Sequence, residues 1–193
     1  MHPVKIEGSG ISLREFTKHD VKALFDVYGN PEATKHLSFE PRTIEQVMDI
    51  VESAITSAAD DPRQVYMLAI EDDEGRQLIG AARLALGEYE SCQIGFALRP
   101  DRWGVGKGTE TVRLLERLAF DGLGLHRIWG ARSPLNNASA RTMNSAGMIE
   151  EGRIRGHLFT RGAWRDSVVH SILSDEYRGA TARPWPEGSR SSR

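Results

Sequence analysis

An α/β sandwich built on one mixed, mostly antiparallel sheet is the class this sequence predicts. Three features point to it. Short apolar runs separated by turn signals make a meander in the middle of the chain. A strongly amphipathic helix follows directly on a glycine-rich stretch, and strand periods then return around one short helix. Strict strand–helix alternation, which would mark a doubly wound sheet, does not describe this order.

The elements follow from local pattern. "VKIEGSGISLREF" reads as two short strands about a Gly-Ser-Gly turn, because alternation flanks the glycines. From Asp20, a candidate N-cap, the period becomes helical, with Val21, Leu24, Phe25 and Tyr28 on one stripe until Gly29-Asn30-Pro31 ends it. A second helix is expected from Thr43, with Ile44, Val47, Met48, Val51 and Ile55 on one face and Gln46 placed to complete a capping box. "VYMLAIED" and "LIGAARLALG" flank the turn signal "DDEGRQ" and predict an antiparallel hairpin, and "SCQIGFALRP" adds a third strand that stops at Pro100. The helix Thr109 to about Asp121 turns Val112, Leu115, Leu118 and Ala119 inward and Arg113, Glu116 and Arg117 to water. "HRIWGARS" is the next strand. "NNASARTMNSAG" is a short helix closed by Gly147, and "MIEEGRIRGHLF" with "WRDSVVHSILS" forms a final antiparallel pair.

Composition bounds the function. The 193 residues suit one domain, assigned to residues 1–175, with an Arg/Pro/Ser-rich, loosely ordered tail at 176–193. The chain is 39% hydrophobic and 27% charged with a formal net charge of −2, which argues against a dedicated nucleic-acid binder. Cys92 is the single cysteine, so no internal disulfide framework is possible, and a buried or half-buried thiol in a reducing compartment is expected. No run approaches the roughly eighteen apolar residues of a membrane span, and the N-terminus lacks the apolar core of a signal peptide. A cytoplasmic location is the expectation. The histidines lack metal-ligand spacing, so no metal is expected.

The stretch "RWGVGKGTE", Arg102 to Glu110, carries the chemistry. Gly104, Gly106 and Gly108 alternate between a strand and a helix, where small residues let successive N–H groups converge on an anion at a helix N-terminus. Lys107 and Arg102 add positive charge, and a mere turn is the plain alternative. A P-loop would need glycine at Asp101 and Ser or Thr at Gly108, and a dinucleotide loop would need glycine at Thr109. Both patterns fail.

The segment "RPDRWGVGKGTETVRLLERLAFDGLGLHRIWG" resembles motif A of the GCN5-related N-acetyltransferase (GNAT) superfamily, in its RimJ/RimL-type branch. Its [QR]-x-x-G-x-[GA] pattern maps onto Trp103 to Gly108, with Trp103 in place of Gln or Arg, a replacement usual in that branch. "SPLNNASARTMNSAGMIEEGRIR" and "RGAWRDSVVHSIL" resemble the later segments of the same branch, with Met148 where an aromatic is usual, and the likeness spans about residues 10 to 174.

The resemblance implies a GNAT-like α/β/α fold whose mostly antiparallel twisted sheet is splayed between two central parallel strands. It implies acetyl-CoA or another acyl-CoA as co-substrate, with the pyrophosphate on the amides of Trp103, Gly104, Val105, Gly106, Lys107, Gly108 and Thr109. Backbone groups around Phe96, Ala97 and Leu98 would pair with the pantetheine as an added strand does, and Arg99 and Arg102 would help with phosphates. Acyl transfer to an amine needs a neutral amine, a polarised carbonyl and a protonated leaving thiolate. The resemblance points to a backbone N–H near Leu98 for the carbonyl, to Ser139 for the thiolate, and to Asn136 for positioning; both side chains are also favoured helix caps. The glutamate some relatives use falls near Leu158, so His157 is the candidate base by proximity. Glu88 is another by position, as is Glu90, with Tyr89 as an acceptor contact. Asp166 with Arg165 reads as an ion pair or turn anchor, and Trp129, Trp164 and Phe96 as core or pocket walls.

The implied activity is N-acyl transfer from acyl-CoA to a primary amine, either a protein N-terminus or a small molecule, by direct attack. A carrier-protein pantetheine or an aminoacyl-tRNA is the alternative donor, for which Arg153, Arg155 and Arg161 would be a basic dock. A non-catalytic acyl-CoA-binding module is the rival of another class. Nucleic acid is expected only as that tRNA donor, no membrane partner is expected, and the chain is expected to act as a monomer or homodimer.

Overall fold

The computed structural model describes residues 3–180. Eight strands form one sheet: β1 (Lys5–Glu7), β2 (Ile11–Glu15), β3 (Val65–Asp72), β4 (Gln77–Leu86), β5 (Ser91–Leu98), β6 (Arg127–Arg132), β7 (Ile149–Thr160) and β8 (Ala163–Leu173). Their order across the sheet is β1-β2-β3-β4-β5-β6-β8-β7. Consecutive strands from β1 to β5 are antiparallel neighbours, as short turns require. Only β5 and β6 run parallel, because a helix carries the chain back between them. This is the mixed, mostly antiparallel α/β architecture expected from the sequence.

The helices are α1 (Val21–Tyr28), α2 (Pro31–Thr34), α3 (Ile44–Ser57), α4 (Lys107–Arg117), α5 (Asn137–Ala146) and α6 (Ser174–Ala180). Helices α1 and α3 close a core on one face of the sheet, around Leu24, Val27, Val47, Ala69, Ala81 and Ala97. On the other face α4 and α5 cover a larger core that includes Leu13, Leu68, Leu98, Leu115, Ile128 and Met143. Thr43 and Gln46 form the expected capping box, with Thr43 N–H to Gln46 Oε1 at 3.1 Å and Gln46 N–H to Thr43 Oγ1 at 3.3 Å. Asp20 works differently from a simple N-cap. It closes a 3-10 turn at Lys18–Asp20 by accepting from Thr17 N–H at 2.7 Å, and it accepts from Nη1 and Nη2 of Arg14.

Several expectations are corrected. Pro31 does not only end α1: Asn30 accepts from Glu32 N–H at 2.8 Å and starts the single-turn α2, with proline at its first position. Helix α4 begins two residues before Thr109 and passes into a π-turn over Leu118–Gly122, with Leu123 N–H reaching Leu118 O at 2.9 Å. Glu116 does not face water. It is 2% exposed, its Oε1 has no partner, and burial pushes its carboxyl up to about 8. Nor does the ordered chain stop at 175. Tyr177 on α6 is buried against Phe120, ring centroids 4.9 Å apart, and its hydroxyl donates to Asp121 at 2.8 Å. The tail expected beyond Ala180 lies outside the described residues.

Candidate active site

The site begins where two strands part. The β5–β6 pairing runs from Ser91 with Arg127 to Ile94 with Gly130 and then ends. Beyond it, β5 stays with β4 as far as Leu98 opposite Gly80, while β6 stays with β8 as far as Arg132 opposite Val168. Each strand keeps its antiparallel partner, and a wedge opens between them. Arg99 N–H donates to Ile79 O at 2.8 Å, so by alternation Ala97 exchanges bonds with Ala81 while the backbone groups of Phe96 and Leu98 point into the wedge. Of the three residues expected to offer backbone there, Ala97 is turned away.

The wedge leads to the glycine loop. Gly104 (φ +78°) and Gly106 (φ +86°) are left-handed, and a Cβ on either would meet nothing within 4 Å. The backbone there is open to an approaching group. Gly106 is the N-cap of α4 and offers no side chain, so the first-turn N–H groups of Lys107, Gly108 and Thr109 lack intrahelical acceptors. Gly108 has a second duty: a Cβ would stand 3.3 Å from Thr142 and 3.6 Å from Phe96, so it lets α4 and α5 approach. Trp103 donates its indole N–H to Leu98 O at 2.9 Å and ties the loop to the last residue of β5. Val105 is exposed at the loop's tip.

The cations are placed otherwise than the sequence suggests. Lys107 Nζ lies 2.8 Å from Asp72 Oδ1, and Arg102 Nη1 lies 3.4 Å from Asp72 Oδ2. Burial of Asp72 raises its pKa, but the bonds from Lys107 and Glu74 N–H and the charges of Lys107 and Arg102 outweigh this and hold it below the usual value. Arg99 grips Asp101 with two nitrogens at 2.6 and 3.0 Å, which raises the pKa of the guanidinium and lowers that of the carboxylate. These cations anchor the loop. Glu110 is clasped by the first turn of the chain, accepting from Ser9 N–H, from Ser9 Oγ at 2.9 Å and from Gly10 N–H at 3.0 Å. Sequence reasoning missed Asp72 and this Glu110 clasp, since each joins residues far apart in the chain. Beside the loop a cavity of ≈ 570 Å³ is lined by Phe25, Asp26, Gly29, Asn30 and residues 99–101.

Helix α5 brings the next candidates. Asn136 is its N-cap and accepts from Ser139 N–H at 3.0 Å, so the capping role exists. It uses only the Asn136 oxygen and the Ser139 amide, and the Ser139 hydroxyl makes no hydrogen bond among the described residues. Ser139 is half-buried. His157 lies in the irregular part of β7, where register slips between Ile154 and Leu158, and its Nδ1 is buried without a partner. Asp166 does not pair with Arg165; it accepts from Arg153 Nε and Gly156 N–H, both at 2.7 Å, and so anchors the β7 bulge. Glu88 and Tyr89 are corrected outright. They sit exposed in the β4–β5 turn, before the start of β5, roughly 20 Å of strand from Leu98. Glu90 shares that turn, and neither acid reaches the wedge. Trp164 is 69% exposed and forms no wall, whereas Trp129 lines a depression on the sheet face and Phe96 packs on the core. Cys92 is buried and its thiol is pushed up to about 12 by burial, so it is inert.

A split sheet, a backbone-lined wedge and an uncapped glycine loop meet at one place, and the family comparison agrees with that geometry. The acetyltransferase (GNAT) domain family matches residues 11–149. The chain belongs to this family. The acetyltransferase is 28% identical over 176 residues to the uncharacterized N-acetyltransferase YoaA of Bacillus subtilis (strain 168), covering 90% of this chain and 98% of that one. It is 24% identical over 121 residues to the ribosomal protein uS5-alanine N-acetyltransferase of Escherichia coli (strain K12), covering 58% and 59% of the two chains. Its fold matches a spermidine N-acetyltransferase from Vibrio cholerae, solved with CoA and spermine, at a TM-score of 0.76 and 20% identity over 89% of this chain and 99% of that one.

The acetyltransferase is therefore an enzyme that transfers an acyl group to an amine, with an acyl-CoA as co-substrate. The wedge and the loop fit that co-substrate, since amides suit pantetheine and an open helix N-terminus suits pyrophosphate. Among the described residues no helix is long and apolar enough to cross a membrane.

Proposed function

We propose that the acetyltransferase moves an acetyl group from acetyl-CoA to a primary amine, on a protein N-terminus or a small molecule, in the manner of the RimJ/RimL-type branch. The observation that carries this reading is the wedge beyond Ile94 and Gly130, with the Phe96 and Leu98 backbone turned into it. The branch assignment rests on Trp103 at the head of the loop and on the uS5-alanine relative.

The thioester supplies the activated acyl group. Amides from Trp103 to Thr109 hold the pyrophosphate end, and the Leu98 N–H faces the acyl carbonyl and polarises it. The Ser139 hydroxyl donates a proton to the departing thiolate, while Asn136 holds Ser139 in place through its amide N–H. His157 takes the proton of the attacking amine, its Nδ1 having no protein partner. The test is release of free thiol from acetyl-CoA over a panel of peptides and small amines, with longer acyl-CoAs and an acylated carrier protein as competing donors. Acetyl-CoA is expected to be the best donor. Tight CoA binding without thiol release from any amine would sink the proposal.

A further inference from the structure

The sheet face that α1 and α3 cover carries arginines without ion pairs beside the wedge. Arg83 on β4 stands opposite Gly95 of β5, one residue beyond the last β5–β6 pair, on the sheet face that α1 and α3 cover farther along. Nothing lies within 4 Å of the position a Cβ on Gly95 would take, so the sheet surface beside Arg83 is open. The loop after α2 supplies Arg42, whose guanidinium lies 4.8 Å from the Phe39 ring centre. Phe39 packs edge-on against Tyr28 at 5.0 Å, and the Tyr28 hydroxyl feels the charges of both Arg83 and Arg42.

The β7–β8 hairpin reaches the end of α2 and the loop that follows it. Arg161 donates to Thr34 O at 3.3 Å, and Arg165 donates to His36 O at 2.9 Å and Leu37 O at 3.0 Å. Burial lowers the pKa of His36, and the charges of Lys35, Arg165 and Arg161 lower it further; Arg165 is depressed by burial and by Arg161.

Among the described residues none of Arg42, Arg83, Arg161 and Arg165 makes an ion pair. Arg42 Nε and Arg165 Nε are buried with no acceptor at all. Glu32 on α2 and Glu40 in the loop after it are exposed and pair with none of these arginines. Asp101, beside the wedge's other end, is already held by Arg99. Arg161 and Arg165 are held by carbonyls alone, Arg42 lies over a ring, and Arg83 stands exposed on the sheet. Buried guanidinium donors without an acceptor are costly unless a ligand supplies one.

We propose that the amine acceptor carries an anionic group of its own, a carboxylate or a phosphate, held by Arg83, Arg42, Arg161 and Arg165 at the mouth of the wedge. This rests on the N-acetyl-transfer reading above and narrows it. A polycation is disfavoured by the same charges.

Three matched pairs of amines test it: a peptide with Asp and Glu after its N-terminal residue against the same peptide with Asn and Gln, glutamate against glutamine, and glucosamine 6-phosphate against glucosamine. Spermidine is the cationic control. Each is assayed for thiol release with acetyl-CoA and titrated calorimetrically into the CoA-bound protein. At least one anionic member should exceed its neutral partner by about tenfold or more in kcat/KM and in affinity, and the margin should shrink with added salt. The responding pair identifies the source of the anion. Arg83→Glu should erase the margin while leaving CoA affinity and melting temperature unchanged. Equal values in all three pairs, a preference for spermidine, or a margin that survives Arg83→Glu would overturn the proposal. Because the titration needs no turnover, an absence of thiol release defeats the catalytic reading and still leaves the anion preference to be measured.

Discussion

Lys107 and Asp72 meet at 2.8 Å, with the carboxylate fully buried at the end of β3 and the ammonium in the first turn of α4. One strand end thereby fixes the helix whose open N-terminus the proposal assigns to the donor. Removing the charge from Asp72 leaves Lys107 without its counterion and Arg102 with only Asp101, at 3.5 Å. Asp72→Asn is expected to cost about 3 kcal/mol of stability, within the range for breaking a buried pair. It should also weaken CoA binding severalfold. Urea denaturation and CoA titration of the same variant measure both, and unchanged CoA affinity would show the loop to be held by other contacts.

Gly106 and Gly108 should respond differently to a side chain. At Gly106 a Cβ meets nothing, so Gly106→Ala costs only left-handed strain of about 1–2 kcal/mol in the backbone and blocks the open surface. CoA affinity should fall by about tenfold, with a melting temperature lowered by only a few degrees. At Gly108 the Thr142 methyl is already 3.3 Å from the Cβ position. Gly108→Val should therefore lose more stability than Gly106→Ala as well as donor binding.

Ser139 and Asn136 separate capping from catalysis. Ser139→Ala keeps the amide that Asn136 caps and removes only the hydroxyl. It should lower kcat by about a hundredfold or more, with KM for acetyl-CoA near the parent value. Asn136→Ala should cost about 1 kcal/mol through the lost cap. A Ser139→Ala enzyme with full kcat would leave the serine only its place in the cap.

Glu116 makes stability depend on pH. Its carboxyl is raised to about 8 by burial, whereas in the unfolded chain it titrates near the ordinary glutamate value. The folded state thus binds more protons between these values, so this group's contribution is fully present below about pH 4 and is lost as pH rises toward 8. At about 1.4 kcal/mol per pKa unit, the loss is on the order of 4–5 kcal/mol. Glu116→Gln should flatten that slope and raise stability at pH 8 relative to the parent. Parallel denaturation curves at pH 5 and pH 8 test this, and equal slopes in the two proteins would refute it.

Much of this was legible in the sequence because the governing forces are local. Period-two runs, the Thr43–Gln46 box and the Gly104–Gly106–Gly108 spacing each depend on residues within a few positions of one another. Their identity sets strand, cap and loop before any packing occurs. The family likeness was legible for the same reason, since motif A is one continuous stretch.

What only the tertiary structure decided involves distant residues or the position of a face. Helical periodicity put Glu116 outside, but α4 packs against both the sheet and α5, which buries a wider stripe than the apolar residues mark. Lys107 and Arg102 read as phosphate ligands until β3 brought Asp72 to them. Glu88 and Tyr89 looked near the site until the strand length set them at its far end. The sequence alone determined that this chain would carry a glycine-rich loop ahead of a helix on a mixed sheet. Where its charges point was decided by folding, because an ion pair depends on distance through space and the chain records only distance along itself.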